Sequence, residues 1–316
     1  MPGGVVRVRR RPATMLEGVR MPTVPQVPFG STGLMVSRLG LGAGSLGDSR
    51  LSDGDVERLL LGALDLGVTL IDAARSYGLA EERIGRILGE RRADAVLSTK
   101  VGYGIDGVAD WTDACVTAGV DAALGRFRTD QLDIVHLHSC PLEVLTRGEV
   151  VEALQRTVAA GKVRVAAYSG ENIELVWAVG SGAFGSVQAS VNLCDRRSLS
   201  GPLAVAARAG LGVIAKRPLA NAVWRHPHRP EAPDQAEYWR RWHALGLPLP
   251  SWDPAELALR FATWAPGVDS AIVGTTSLEH LGHAAALVGR GPLPEDVLAE
   301  LATRQRSSVA AWTGVI

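Results

Sequence analysis

The amino-acid sequence predicts an α/β fold of the (β/α)8 or TIM-barrel class, with a β-hairpin before the first barrel strand and an extra C-terminal helix. Three observations predict it. Eight short Val/Ile/Leu-rich runs follow residue 28 without polar alternation, as expected of parallel strands covered on both faces. Segments of helical period lie between them. The chain has 316 residues, 47% of them hydrophobic, enough for eight βα units around one core and better matched to a closed barrel than to an open doubly wound sheet.

The elements follow in chain order. Residues 1–27 are basic and lack the apolar run of a signal peptide, so they read as a disordered arm, with Met21 as an alternative start. The barrel domain is expected over residues 28–316. Residues 28–36 (PFGSTGLMV) set a Ser-Thr-Gly turn between apolar residues, which suits a hairpin plugging the barrel bottom. The expected strands are Ser37–Gly42, Val68–Ala73, Ala95–Val101, Leu132–Ser139, Val163–Ser169, Ser186–Asn192, Leu211–Pro218 and Val268–Gly274. Helices are expected over Ser52–Leu66, Thr112–Phe127, Glu149–Ala160, Ser198–Ala209, Pro254–Trp264 and Leu278–Val288, with Trp177 and Trp264 in the core. Residues 219–252 read as one long irregular stretch, rich in proline and holding Trp224, Trp239, Trp242 and Trp252. Loops of that length usually cover a site. Residues 294–311 supply the extra helix.

Composition narrows the function. The formal net charge is zero, so nothing favours nucleic acid or an acidic membrane surface as partner. No run approaches the ~18 uninterrupted apolar residues of a membrane helix. Cys115, Cys140 and Cys194 are widely spaced, which suits a reducing cytoplasm better than a disulfide framework. Lysine occurs only at 100, 162 and 216, against a large excess of arginine. Each lysine therefore marks a place where a compact, titratable cation is retained.

One motif invites a rival reading. Residues 42–47, GAGSLG, match G-x-G-x-x-G after a strand, and Asp72 ends the next strand where a ribose-binding acid would stand in a Rossmann-type dehydrogenase. Against it, DSRLS (48–52) separates the last glycine from the helical period.

Three consecutive strand tips carry chemistry. The second strand ends at Asp72, with Tyr77 just beyond; the third ends at Lys100 and the fourth at His138. In a βα barrel these tips share the face where active sites form. Carbonyl reduction calls for such a set. Hydride addition leaves an oxyanion that needs a proton, a phenol can supply it, and a lysine held by a carboxylate stabilises the phenolate. A neutral imidazole can polarise the carbonyl by hydrogen bonding. Tyr77 is thus the expected general acid/base, Asp72 and Lys100 its tuning pair, and His138 the carbonyl orienter. His136 alternates with His138, and the terminal position favours His138 for the mouth.

IDAARSYGLAEERIG (71–85) resembles the aldo-keto reductase pattern D-x-A-x-x-Y-G-x-x-E-x-x-[IL]-G, and LGRFRTDQLDIVHLH (124–138) is similar to that family's histidine motif. FGSTGLMVSRLGLG (29–42) and EALQRTVAAGKVR (152–164) also resemble family segments. The resemblance implies the same tetrad, Asp72, Tyr77, Lys100 and His138, and places Gly42 and Ala43 beside the nicotinamide ribose. It implies contact of Ser169 and Gln188 with the carboxamide, whereas the family's asparagine after that serine is here Gly170. The family's stacking tyrosine is replaced by Lys216, followed by Arg217; the lysine could meet a cofactor phosphate or be held by a carboxylate.

After the last strand, GTTSLEHLGHA (274–284) suits a phosphate cradle at a helix start, with Gly274, Thr275, Thr276 and His280 as contacts and Thr276–Glu279 as a capping box. NADPH-dependent relatives often carry arginine, glutamine and asparagine where Thr276, His280 and Ala284 stand. The family pattern favours NADP(H) and these residues do not, which leaves NAD(H) open. Tyr103, Trp111 and Trp224 are the expected substrate wall. The reaction expected is hydride transfer between a nicotinamide cofactor and a small carbonyl or alcohol. Two other readings remain: a cofactor-binding regulatory subunit, and a metal or Schiff-base barrel enzyme, for which no metal-spaced cluster speaks.

Overall fold

The computed structural model describes residues 24–306 and 312–315. Two short strands, β1 (Gln26–Pro28) and β2 (Met35–Ser37), pair antiparallel. Eight strands then close a parallel barrel: β3 (Leu39–Gly42), β4 (Leu70–Asp72), β5 (Val96–Val101), β6 (Leu132–His138), β7 (Val163–Ser169), β8 (Ser186–Ser190), β9 (Gly212–Lys216) and β10 (Ser270–Gly274). Each pairs with its neighbour in sequence, and β10 pairs back onto β3. Closure disposes of the open-sheet reading of GAGSLG, because no edge or switch point remains for a dinucleotide crevice.

The hairpin closes the barrel floor. Phe29, Leu34 and Val36 pack with Leu70, Ile134, Val165, Ala167 and Ile214 from the lower ends of the strands. It begins earlier than expected, since β1 starts at Gln26 and Val24 is already buried, inside the segment set aside as an arm. The rest of that arm, residues 1–23, lies outside the described residues. So do residues 307–311 of the expected last helix, which is seen over Glu295–Arg306.

A second apolar layer, between sheet and helices, gathers one stripe of each helix. Over Asp53–Asp65, for example, Val56, Leu59, Leu60, Ala63 and Leu64 are buried, and Ser52 caps the start by accepting from Asp55 N. Two expectations are corrected. Residues 219–252 are not irregular throughout: they contain a 3-10 turn (Ala220–Arg225) and an α-helix (Pro233–Ala244) started by a proline. The helix Leu278–Gly289 is capped by Ser277, whose hydroxyl accepts from His280 N, and not by Thr276. Among the described residues no helix is long and apolar enough to cross a membrane, and the three cysteines are free and buried.

Candidate active site

Parallel closure brings the C-terminal ends of all eight strands to one rim, and a cleft of about 720 Å³ opens there. Asp72, Tyr77, Lys100 and His138 line it, together with Gly42, Ser169, Gln188, Lys216, Arg217, Gly274, Thr275 and Thr276. At its floor lies a buried ion pair. Lys100 Nζ is 2.6 Å from Asp72 Oδ2 and 2.8 Å from the Ala73 carbonyl, and the two side chains are almost fully enclosed. Asp72 Oδ1 accepts from Ser98 Oγ at 2.7 Å and from Gln188 Nε2 at 3.0 Å, so the carboxylate is fully engaged. Burial alone would push this carboxyl up; the neighbouring Lys100 and His136 and the donors Lys100 and Ser98 overcome that and hold it below its ordinary value.

Tyr77 rests above this pair, its ring centroid 5.1 Å from Lys100 Nζ. It stands there because the 3-10 turn Ala43–Gly47 backs directly onto the 77–80 backbone: Leu79 N donates to Gly47 O, and a Cβ on Gly47 would come 1.6 Å from the Tyr77 carbonyl oxygen. The last glycine of GAGSLG is therefore required by close approach to the tyrosine loop. Burial raises the Tyr77 phenol above its ordinary value and the Asp72 carboxylate adds to this. Lys100 Nζ, expected to tune the phenol, bonds to Asp72 and the Ala73 carbonyl, and burial holds Tyr77 protonated.

His138 packs its ring edge-on to Tyr77, with centroids 6.4 Å apart. Burial, with Lys100 and Lys216 nearby, depresses its pKa to about 3, so the imidazole is neutral at working pH. His136 does not face the opposite side. Residues two apart on a strand share a face, and His136 lies one layer deeper, fully buried, with Nε2 3.0 Å from Ser98 Oγ.

Gln188, expected at the cofactor, also has partners within the protein: Oε1 accepts from Ser169 Oγ at 2.9 Å while Nε2 reaches Asp72. Gly170 replaces the family asparagine because Tyr168 fills the space; a Cβ there would lie 2.3 Å from the tyrosine oxygen. Of the two prospects for Lys216, a carboxylate holds it: Glu171 Oε1 is 3.1 Å from Nζ. Arg217 lines the cleft while its Nη1 donates to the Val315 carbonyl at 2.7 Å.

Five expected residues do not line the cleft. Ala43 is wholly buried between Gly42 and Gly44, both of which line it. His280 is exposed on its helix and does not line the cleft. Trp224, expected in the substrate wall, packs with Trp242 at 5.0 Å in the hydrophobic cluster under the 219–252 segment. Tyr103 and Trp111 pack on each other beside His138. Ser98 and Glu171 were not singled out from sequence, and His136 was set aside in favour of His138. A serine or histidine inside an apolar strand was the available signal, since buried polar groups need partners.

Residues 38–304 match the family model described as Aldo/keto reductase family. The chain belongs to that family. Aldo/keto reductases are oxidoreductases, and the relatives carry both enzyme and channel-subunit names. L-galactose dehydrogenase of Arabidopsis thaliana is 26% identical over 287 residues, covering 82% of this chain and 86% of its own length. A probable voltage-gated potassium channel subunit beta of Oryza sativa subsp. japonica is 30% identical over 250 residues, covering 76% and 66%. The holo form of an aldo-keto reductase from Bacillus halodurans superposes with a TM-score of 0.77 at 25% identity, covering 91% of this chain and 97% of that one.

Proposed function

We propose that this aldo/keto reductase transfers hydride between a nicotinamide cofactor and a small carbonyl or alcohol substrate, with Tyr77 as the proton donor. The observation that carries the reading is the enclosed Lys100–Asp72 pair at 2.6 Å, set directly beneath the Tyr77 ring at the barrel mouth. A buried pair of this kind is costly to desolvate and gives weak evidence of a stabilising role. Beneath a half-buried phenol beside a neutral imidazole, it suits proton transfer.

The residues fit a nicotinamide dinucleotide. Ser169 Oγ and Gln188 Oε1 each keep an unused acceptor lone pair beside the tetrad, which suits a carboxamide NH2. Farther along the same cleft, Thr275, Thr276 and the free amides that open the helix Leu278–Gly289 suit a phosphate, with Arg217 on the facing rim. That cofactor would supply the hydride. The protein's part is to hold the carbonyl against His138, which donates a hydrogen bond to its oxygen, and to pass the Tyr77 proton to the same atom. Lys100 fixes Asp72 and the floor on which Tyr77 rests. The family pattern favours NADP(H) over NAD(H), Tyr103 and Trp111 form part of the substrate wall, and the three free thiols suit the cytoplasm.

Tyr77→Phe and Lys100→Met should each cut turnover of an aldehyde by about 10²–10⁴-fold with cofactor binding intact. Wild-type turnover in both variants would refute the assignment. Titration with NADPH and then NADH, followed by cofactor fluorescence, decides the carrier. The rice relative supports a second reading, a cofactor-binding regulatory subunit. Tight cofactor binding without turnover of any aldehyde, ketone or sugar by the wild type would favour it.

A further inference from the structure

The loop after β5 packs against His138. Tyr103 Oη lies 2.7 Å from Nδ1 of His138, and the two rings stack with centroids 5.5 Å apart and planes 23° apart. Trp111 braces the far edge of Tyr103 at 5.8 Å, and its backbone N–H closes the loop by donating to the Gly102 carbonyl at 2.7 Å. We propose that Tyr103 is a positioning residue, whose hydroxyl donates to Nδ1 of His138 and so fixes the imidazole as the tautomer with its hydrogen on Nε2.

The argument is one of counting hydrogens. A phenol has one to give. The other acceptor within reach, Ser76 Oγ, is 3.5 Å away, so the short bond to Nδ1 takes it. His138 is neutral, and a neutral imidazole carries one hydrogen on one nitrogen. An accepting Nδ1 therefore leaves the hydrogen on Nε2, the ring nitrogen free for the cleft. That is the form a carbonyl oxygen can accept from. In the reverse arrangement, with Nδ1–H donating to Tyr103, Nε2 would present a lone pair to the oxygen and repel it. The stack adds a second constraint by fixing the ring plane, which the hydroxyl alone would leave free to swing.

The proposal rests on the reading of His138 as the carbonyl orienter, and its test separates the two. In protein labelled with 15N-histidine, long-range proton–nitrogen correlation reports the tautomer without any substrate, the His138 signals being those lost in His138→Asn. Wild type should show the Nε2–H pattern across neutral pH. Tyr103→Phe keeps the ring and its stack but should give a mixture of both tautomers, with the midpoint of His138 protonation moved upward. In turnover of 4-nitrobenzaldehyde, the same variant should lose kcat about tenfold, the scale seen when a metal-bound histidine loses its outer partner, with KM nearly unchanged. A wild-type Nδ1–H pattern overturns the proposal, as does a tautomer unmoved in Tyr103→Phe. A raised KM with kcat intact likewise returns Tyr103 to simple substrate contact. Wild-type protein without turnover would sink the functional reading while the spectra still decide the tautomer.

Discussion

His136 and His138 show how much two residue positions on one strand can carry. Both point into the barrel and both are neutral, pushed by burial to about 4 and about 3 respectively. An unfolded chain protonates such groups near pH 6.5, so below that pH it binds more protons than the folded protein does. Stability must then fall as pH drops through 6.5, by about 1.4 kcal/mol per pH unit for each site until the folded value is reached. Asp195, raised to about 6 by burial, works in the opposite direction over part of this range, so the comparison that isolates the histidine effect is with a variant. His136→Gln keeps a donor for Ser98 and cannot titrate. Its urea midpoint should decline less than wild type between pH 7 and pH 5, and parallel declines would remove His136 from this account. The lowered carboxyl of Asp72 contributes separately, its share being lost only below about pH 4.

At the scale of elements, the strands were legible and the turns that serve the site were not. Parallel strands buried on both faces have to be written as continuous apolar runs, and each barrel strand falls within an expected run, neither end trimmed by more than two residues; in Ser37–Gly42 the trimmed Ser37 belongs to the hairpin. That Asp72 and Lys100 meet was legible for a related reason, because charged side chains cannot end such runs without a partner. Local chemistry was less informative where tertiary contact chose the residue. GAGSLG looks like a phosphate loop, yet its last glycine is fixed by the Tyr77 carbonyl. Gly170 is fixed by Tyr168, Lys216 by Glu171, and the helix Pro233–Ala244 was hidden by the tryptophans and prolines around it. A matched pair of variants tests the turn. Gly47→Ala drives a Cβ into backbone and should cost about 1–3 kcal/mol, as overpacking does, and lower turnover by displacing Tyr77. Gly44→Ala, whose Cβ would sit 4.0 Å from the Tyr77 ring, should melt like wild type. Equal melting temperatures in the two variants would contradict this role for the turn.

Across the whole molecule, the rim of the cleft is tied to a segment far from it in sequence. Residues 312–315 cross the mouth side of the barrel, and four side chains from separate places grip their backbone. Asn172 exchanges bonds with Gly314 (2.8 and 3.4 Å), Asp195 accepts from Val315 N at 3.0 Å, Arg241 Nη2 donates to Thr313 O at 2.8 Å, and Arg217 donates to Val315 O. The Arg240 and Arg241 guanidinium groups also sit over the Trp312 ring. Of these, Arg217 alone lines the cleft, and it holds a left-handed backbone with φ of 55°. The strap thus fixes the orientation of the arginine that lines the cleft, the residue proposed above to face a cofactor phosphate. Truncation before Trp312 leaves buried donors and acceptors unmet, at about 1–3 kcal/mol for each group that water cannot reach, so the melting temperature should fall by several degrees. The more telling measurement is cofactor affinity. With Arg217 released, NADPH should bind more weakly in the truncated protein than in wild type under conditions where both are fully folded. Arg217→Ala in the full-length chain should reproduce the loss without most of the destabilisation. Unchanged affinity in both would mean that the strap serves stability alone.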